Sequence, residues 1–338
     1  MKKKLLFLFA LLFSVCSALC SCTAAYSTEK NEDDKEKLKI VTTVFPQYDF
    51  ARAAARGAAE HVQIKMLLPP GSESHDYEPS LSDIADIAEC DIFICVGGET
   101  DDWVENILEL TGERMTVLRL IDMVELLDEE ALPGMASYGH SHEEHEHDQS
   151  HAHSHERSDG EFDEHVWTTP RNAAHMTEII CDAMCDRVPE LAEDFRACAE
   201  EYKSELLSLD KEYEELSLTA KSHTLIFADR FPFRYLAEEM SLDCYAAFSG
   251  CSSDSEPPLS AIGYLSVKSK EENASVIFTT EFGAVAVAEL IAGECGAQVR
   301  VLHSCHNVSR EDFERGVTCL DLMKNNLEVL REAMLCGN

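Results

Sequence analysis

Positive charge is scarce in this sequence beside its negative charge. Its 338 residues carry 28 Lys and Arg against 64 Asp and Glu, a formal net charge of −36. Nucleic acids and anionic lipid surfaces are recognised through clustered Lys and Arg, so neither is expected as a partner, and cations are. Also missing are a His-Glu-x-x-His helix and a nucleophile elbow. Without them a surface zinc hydrolase, which would need an open coordination position and a general base, is the less favoured alternative.

A membrane-spanning run is lacking at the N-terminus as well. Residues 5–19 are strongly apolar but fall short of the roughly 20 residues that a helix needs to cross a bilayer. Met1-Lys2-Lys3-Lys4 precedes this run and Leu19-Cys20-Ser21-Cys22 ends it. A charged start, an apolar middle and a small residue before cysteine make an export signal over residues 1–21, and its end resembles a bacterial lipobox with Cys22 as the acylated residue. Stable anchoring takes more than one acyl chain, which a diacylglyceryl group supplies. The expected location is the outer face of the bacterial cytoplasmic membrane, with residues 22–37 as a polar tether. Of 14 cysteines, eleven remain once Cys16 and Cys20 leave with the signal and Cys22 takes lipid. An odd number cannot pair fully within one chain. Cys181, Cys185 and Cys198 fall in helical patterns and read as small buried hydrophobes, whereas Cys251 and Cys305 lie in loops.

Residues 139–161 hold seven of the 14 histidines: His140, His142, His145, His147, His151, His153 and His155, interleaved with Glu, Asp and Ser. The stretch has too few apolar residues to fold by itself, and imidazoles among carboxylates suit a borderline cation such as Zn²⁺.

On either side of it, short apolar runs alternate with amphipathic segments. Residues 39–45, 62–68, 92–96 and 116–120 read as buried strands, and so do 224–228, 243–248, 275–279 and 298–302. Near-continuous apolar runs separated by helices imply parallel sheets covered on both faces. The expectation is therefore α/β, with two lobes of four parallel strands at 38–188 and 222–338. Leu191, Phe195, Cys198, Tyr202, Leu206, Leu209, Tyr213 and Leu216 recur at steps of three and four, which predicts one long helix between the lobes within 189–221.

Two loop histidines stand out within this pattern. His75 lies in Gly71-Ser72-Glu73-Ser74-His75-Asp76-Tyr77-Glu78-Pro79, after a predicted strand, where parallel α/β folds collect ligands. His165 lies in Asp163-Glu164-His165-Val166-Trp167-Thr168-Thr169-Pro170-Arg171-Asn172. Both segments closely resemble the metal-histidine motifs of the zinc- and manganese-binding lipoproteins that serve ABC importers. So does a His- and acid-rich loop just before the second motif. The resemblance runs from about Leu38 to Leu335, through Cys95-Val96-Gly97-Gly98-Glu99 and Trp103 to Met323-(x)₂-Asn326-Leu327. It implies two (β/α) lobes joined by a rigid helix, one metal in the cleft between them, and ligands at His75 and His165.

The family's other two ligands do not carry over directly. The third follows the first strand of the second lobe, where this chain has Ala228, with Asp229 one residue on as a candidate replacement. The fourth is an acid after a late strand. Val301-Leu302-His303-Ser304-Cys305-His306 occupies that place, with His303 the best match and His306 and Cys305 as alternatives. Glu281 matches an acid near the family's cleft. The functional expectation is a monomeric, lipid-anchored solute-binding protein, not an enzyme, that captures Zn²⁺ and hands it to an ABC permease. Mn²⁺ is the alternative cargo, and a metal buffer or adhesin using the His-rich loop alone is the alternative role. Three histidines favour zinc, because carboxylate and water suit Mn²⁺.

Overall fold

The computed structural model describes residues 37–73, 77–98, 101–111, 114–133, 135, 162–250 and 257–335. The export signal, Cys22, the His-rich loop, His75 and Cys251 lie outside the described residues.

Two parallel sheets of four strands organise the chain. The first contains β1 (Leu38–Thr42), β2 (Val62–Met66), β3 (Ile92–Cys95) and β4 (Thr116–Arg119), in the order β2-β1-β3-β4. The second contains β5 (Thr224–Phe231), β6 (Asp243–Ser249), β7 (Val276–Thr279) and β8 (Gln298–Val301), in the order β6-β5-β7-β8. Each lobe repeats one strand order, so each has its topological switch point between its first and third strands, where ligands of such sheets collect. The apolar runs behave as expected of doubly covered strands: all four residues of β3 are buried, and all four of β7.

Helices α1 (Phe45–Ala55), α2 (Leu81–Glu89) and α3 (Asp102–Thr111) connect the strands of the first lobe, and α4 (Pro170–Arg187) follows it. The strand expected over 39–45 stops at Thr42 because Pro46, which has no N–H to give a ladder, opens α1. Gln47 then folds back so that its Oε1 accepts from Val44 N–H at 3.0 Å and from the Thr43 hydroxyl at 3.2 Å. The interlobe helix is α5 (Ala192–Thr219), 28 residues or about 42 Å long. Its stripe of Phe195, Tyr202, Leu206, Leu209, Tyr213 and Leu216 is buried. In the second lobe, α6 (Arg234–Met240), α7 (Leu259–Glu271) and α8 (Val285–Cys295) alternate with the strands, and α9 (Arg310–Arg315) and α10 (Cys319–Leu335) close the chain.

A single apolar core passes through both lobes. It runs from Leu38 and Phe50 through Phe195 and Leu206 of α5 to Phe227, Phe278 and Leu330. Smaller clusters back the remaining face of each sheet, around Phe93 and Val104 in the first lobe and Ile277 and Leu265 in the second. Cys181 and Cys185 are buried in α4, as small hydrophobes should be.

One carboxylate pins this arrangement. Asp49 of α1 is fully buried, and its Oδ2 accepts from the Tyr202 hydroxyl of α5 and from Cys319 N–H at the start of α10, each at 2.7 Å. Its Oδ1 accepts from Arg52 at 2.6 Å, and Arg52 also donates to the Val317 carbonyl at 2.9 Å. Burial raises the Asp49 pKa, and the Arg52 charge and the donated hydrogen bonds only partly counter it. Removing the acceptor leaves the Tyr202 hydroxyl, the Cys319 N–H and the half-buried Arg52 guanidinium without this partner, a loss of the kind that costs about 3–5 kcal/mol. Asp49→Ala is expected to lose that much in chemical denaturation. Asp49→Asn keeps an acceptor oxygen without the charge that burial disfavours, and is expected to lose less than half as much.

Candidate metal centre

The segment Asp163–Pro170 is built to present one imidazole. Asp163 Oδ1 accepts from His165 N–H at 2.8 Å and lies 3.2 Å from His165 Nδ1. A proton held on Nδ1 by this carboxylate leaves the Nε2 lone pair for a metal, the arrangement in which histidine is the stronger ligand. Thr168 donates to the His165 carbonyl at 2.9 Å, and Asn172 Nδ2 donates to the Val166 carbonyl at 2.8 Å. Thr169 caps α4, with Pro170 in its first turn. Tyr235 of the second lobe donates to the Asp163 carbonyl at 3.0 Å. Gly250 leaves room for the ring, since a Cβ there would lie 3.0 Å from His165 Cε1 and 2.9 Å from the Phe231 carbonyl oxygen.

The second imidazole is that of His306. Its ring centre lies 5.4 Å from that of His165, at 85°, and both rings pack near Trp167, whose Nε1 donates to the Ser304 carbonyl at 2.9 Å. The two rings come from opposite lobes, and with Zn–N distances near 2.0–2.1 Å one ion can sit between them. Asn307, next in the chain, donates from Nδ2 to the Pro69 and Ser72 carbonyls at 2.9 and 2.8 Å, and Gly71 N–H reaches the Val308 carbonyl at 2.8 Å. The loop that leads to His75 is thereby tied to the second lobe.

His165 and His306 line a cavity of about 30 Å³ together with Glu73, Arg230, Glu281 and Asn307. That is room for an ion and a water, not for an organic solute. Among the described residues, no three His, Cys, Asp or Glu side chains come together as a metal cluster. The described part of the centre is thus two imidazoles and the walls around them.

His303, the better match by sequence, does not line the cavity. Its own loop uses it: Cys305 N–H points at His303 Nδ1 from 3.0 Å, while His303 N–H and carbonyl pair with the Asn326 amide at 2.8 Å each. Burial, the largest single influence, works to lower its pKa, but the Glu281 carboxylate 3.6 Å away together with Cys305 and Asp312 outweighs this and brings it to about 9. Nδ1 cannot both accept from Cys305 and carry a proton toward Glu281. Either way Nδ1 is engaged by Cys305 or by Glu281 and is not left over for a metal. The Cys305 thiol is also turned into the core, where a hydrogen bond from the Cys319 thiol holds its pKa down to about 7.

Asp229 is likewise occupied elsewhere. Its Oδ2 accepts from Thr280 N–H at 3.2 Å and from the hydroxyls of Thr280 and Thr279 at 2.5 and 3.4 Å. The strand expected to end at Ala228 continues to Phe231, with a register shift between Phe227 and Arg230. Arg230 is therefore the side chain that β5 contributes to the cavity. Ala228 is buried in the second-lobe core. Glu281 does line the cavity, with its two oxygens accepting from Ser304 N–H at 2.9 Å and the Ser304 hydroxyl at 2.6 Å. Only the bulge, invisible in the sequence, distinguishes Arg230 from Asp229. Spacing alone likewise could not separate two histidines three residues apart.

Comparison with known proteins agrees with this architecture. The family model described as "ZnuA: Zinc-uptake complex component A periplasmic" matches residues 40–333. The chain is 31% identical over 327 residues to the high-affinity zinc uptake system protein ZnuA of Bacillus subtilis, covering 95% of this chain and 96% of that one. It is also 31% identical over 324 residues to the zinc-binding lipoprotein AdcA of Streptococcus pneumoniae, of whose length it spans 60%. Among solved structures, the metal-dependent lipoprotein YcdH of Bacillus subtilis superposes with a TM-score of 0.70 at 27% identity, over 88% of this chain and all of that one. Zn(II)-bound AdcA of Streptococcus pneumoniae gives 0.69 at 28% identity, over 88% and 58% of the two chains.

Proposed function

Because the chain belongs to the ZnuA family of zinc-uptake components, we propose that it captures Zn²⁺ outside the cell and delivers it to the permease of an ABC importer. The observation that carries this reading is the pair His165 and His306, one imidazole from each lobe, facing each other in an ion-sized cavity. His75, from the matching sequence motif, completes a set of three imidazoles. Capture and delivery require no chemistry on the metal. Ligands drawn from both lobes couple binding to lobe packing, and release follows when the permease shifts part of the set.

The rest of the reading concerns where the protein works. Cys22 anchors it to the outer face of the membrane, supported by the charged start, the apolar run and Ser21. The His-rich loop 139–161 gathers zinc weakly for the cleft, because a segment that must order around a metal binds more weakly than a preformed site.

Calorimetric titration of the mature protein is expected to show one tight zinc equivalent, which survives deletion of residues 139–161. His75→Ala, His165→Ala and His306→Ala are each expected to weaken it by about 100-fold or more, since changes even one shell further out cost 10–100-fold. His303→Ala should cost far less. Tight binding unchanged in both His165→Ala and His306→Ala would refute the site. Cys22→Ala is expected to release the protein from the membrane fraction, and retention with an intact lipid label would refute the anchor.

A further inference from the structure

Among the described residues two acids stand in the wall of the cavity, and both are engaged by the protein. Glu281 is held by the backbone N–H and hydroxyl of Ser304. Glu73, in the loop that follows β2 in the first lobe, is held from across the cleft: its Oε2 lies 3.1 Å from Arg230 Nη1 at the end of β5. The Arg230 side chain is 14% exposed, so this ion pair is not a freely solvated surface contact. Arginine does not lose its proton in a protein and has no lone pair to offer a metal. It therefore cannot be a ligand, and it engages Glu73 at every physiological pH. A carboxylate oxygen suits Mn²⁺, whereas imidazole suits Zn²⁺. A glutamate free to turn inward would make the donor set harder.

We propose that Arg230 sets metal selectivity by holding Glu73 out of the coordination sphere, so that the cargo meets a donor set dominated by imidazole. This deepens the zinc-binding reading and rests on it. Arg230 acts through Glu73 and does not touch the metal. Removing its charge has two separable effects. Less repulsion strengthens all divalent cations alike, while release of Glu73 strengthens Mn²⁺ in particular. The ratio of the two affinities reports only the second.

The test is a competition titration of Zn²⁺ and Mn²⁺ against a fluorescent chelator on the mature wild type, Arg230→Gln, Glu73→Gln and the double variant, with melting curves to establish folding. Arg230→Gln is expected to narrow the Zn/Mn affinity ratio by about tenfold or more, and adding Glu73→Gln to return it to the wild-type value, since paired residues couple in such cycles. Glu73→Gln alone and Arg230→Lys should leave the ratio unchanged. A ratio unchanged in Arg230→Gln overturns the proposal, and so does a narrowing that persists in the double variant. Arg230→Met gives the same test should the glutamine variant not fold. Failure of the wild type to bind zinc tightly would overturn the underlying reading instead, and the proposal with it.

Discussion

Asp49 is the interaction on which the rest of the structure depends. It collects a hydroxyl from α5, a backbone N–H from α10 and the guanidinium of Arg52, which in turn holds the Val317 carbonyl. A buried carboxylate is costly, and its raised pKa records that cost. It is tolerated because every donor around it would be stranded without it. With the core that runs unbroken from Leu38 to Leu330, it joins first lobe, interlobe helix and second lobe into one packed body. Close-packed interiors do not deform continuously. The loops at the strand ends, which line the cleft, are carried on this packed body.

Those loops are fastened to one another across the cleft. Trp167 reaches Ser304, Asn307 reaches Pro69 and Ser72, Tyr235 reaches Asp163, and Arg230 reaches Glu73. Each contact joins the two lobes, and together they surround His165 and His306. The imidazole of His165 is oriented by a carboxylate within its own motif, which is how a metal-binding histidine is fixed in tautomer and direction. The acidity of the chain as a whole acts at longer range, favouring the approach of cations, while the two acids lining the cavity itself are already engaged by Ser304 and Arg230.

The loop after β8 shows how a short motif divides its labour. His303 and His306 are three residues apart, and the left-handed turn at Cys305, with φ of 63°, separates their fates. His303 stays within the turn, its Nδ1 3.0 Å from the Cys305 nitrogen, and His306 is carried into the cavity beside Trp167. Asn326, a residue of the C-terminal motif, supports this from α10 by pairing with both backbone groups of His303.

By itself the sequence determined the α/β class, the two sets of four strands and the long interlobe helix. These rest on local signals: apolar runs of strand length, and steps of three and four along a helix. Tertiary structure alone decided which second-lobe side chains meet His165. A register shift in β5 turned Asp229 toward Thr280 and brought Arg230 to the cavity, and a turn at Cys305 exchanged His303 for His306. Both outcomes follow from backbone geometry at single residues. In a strand, one residue of displacement reverses which face a side chain occupies, and no pattern of residue types along the chain records where that displacement falls.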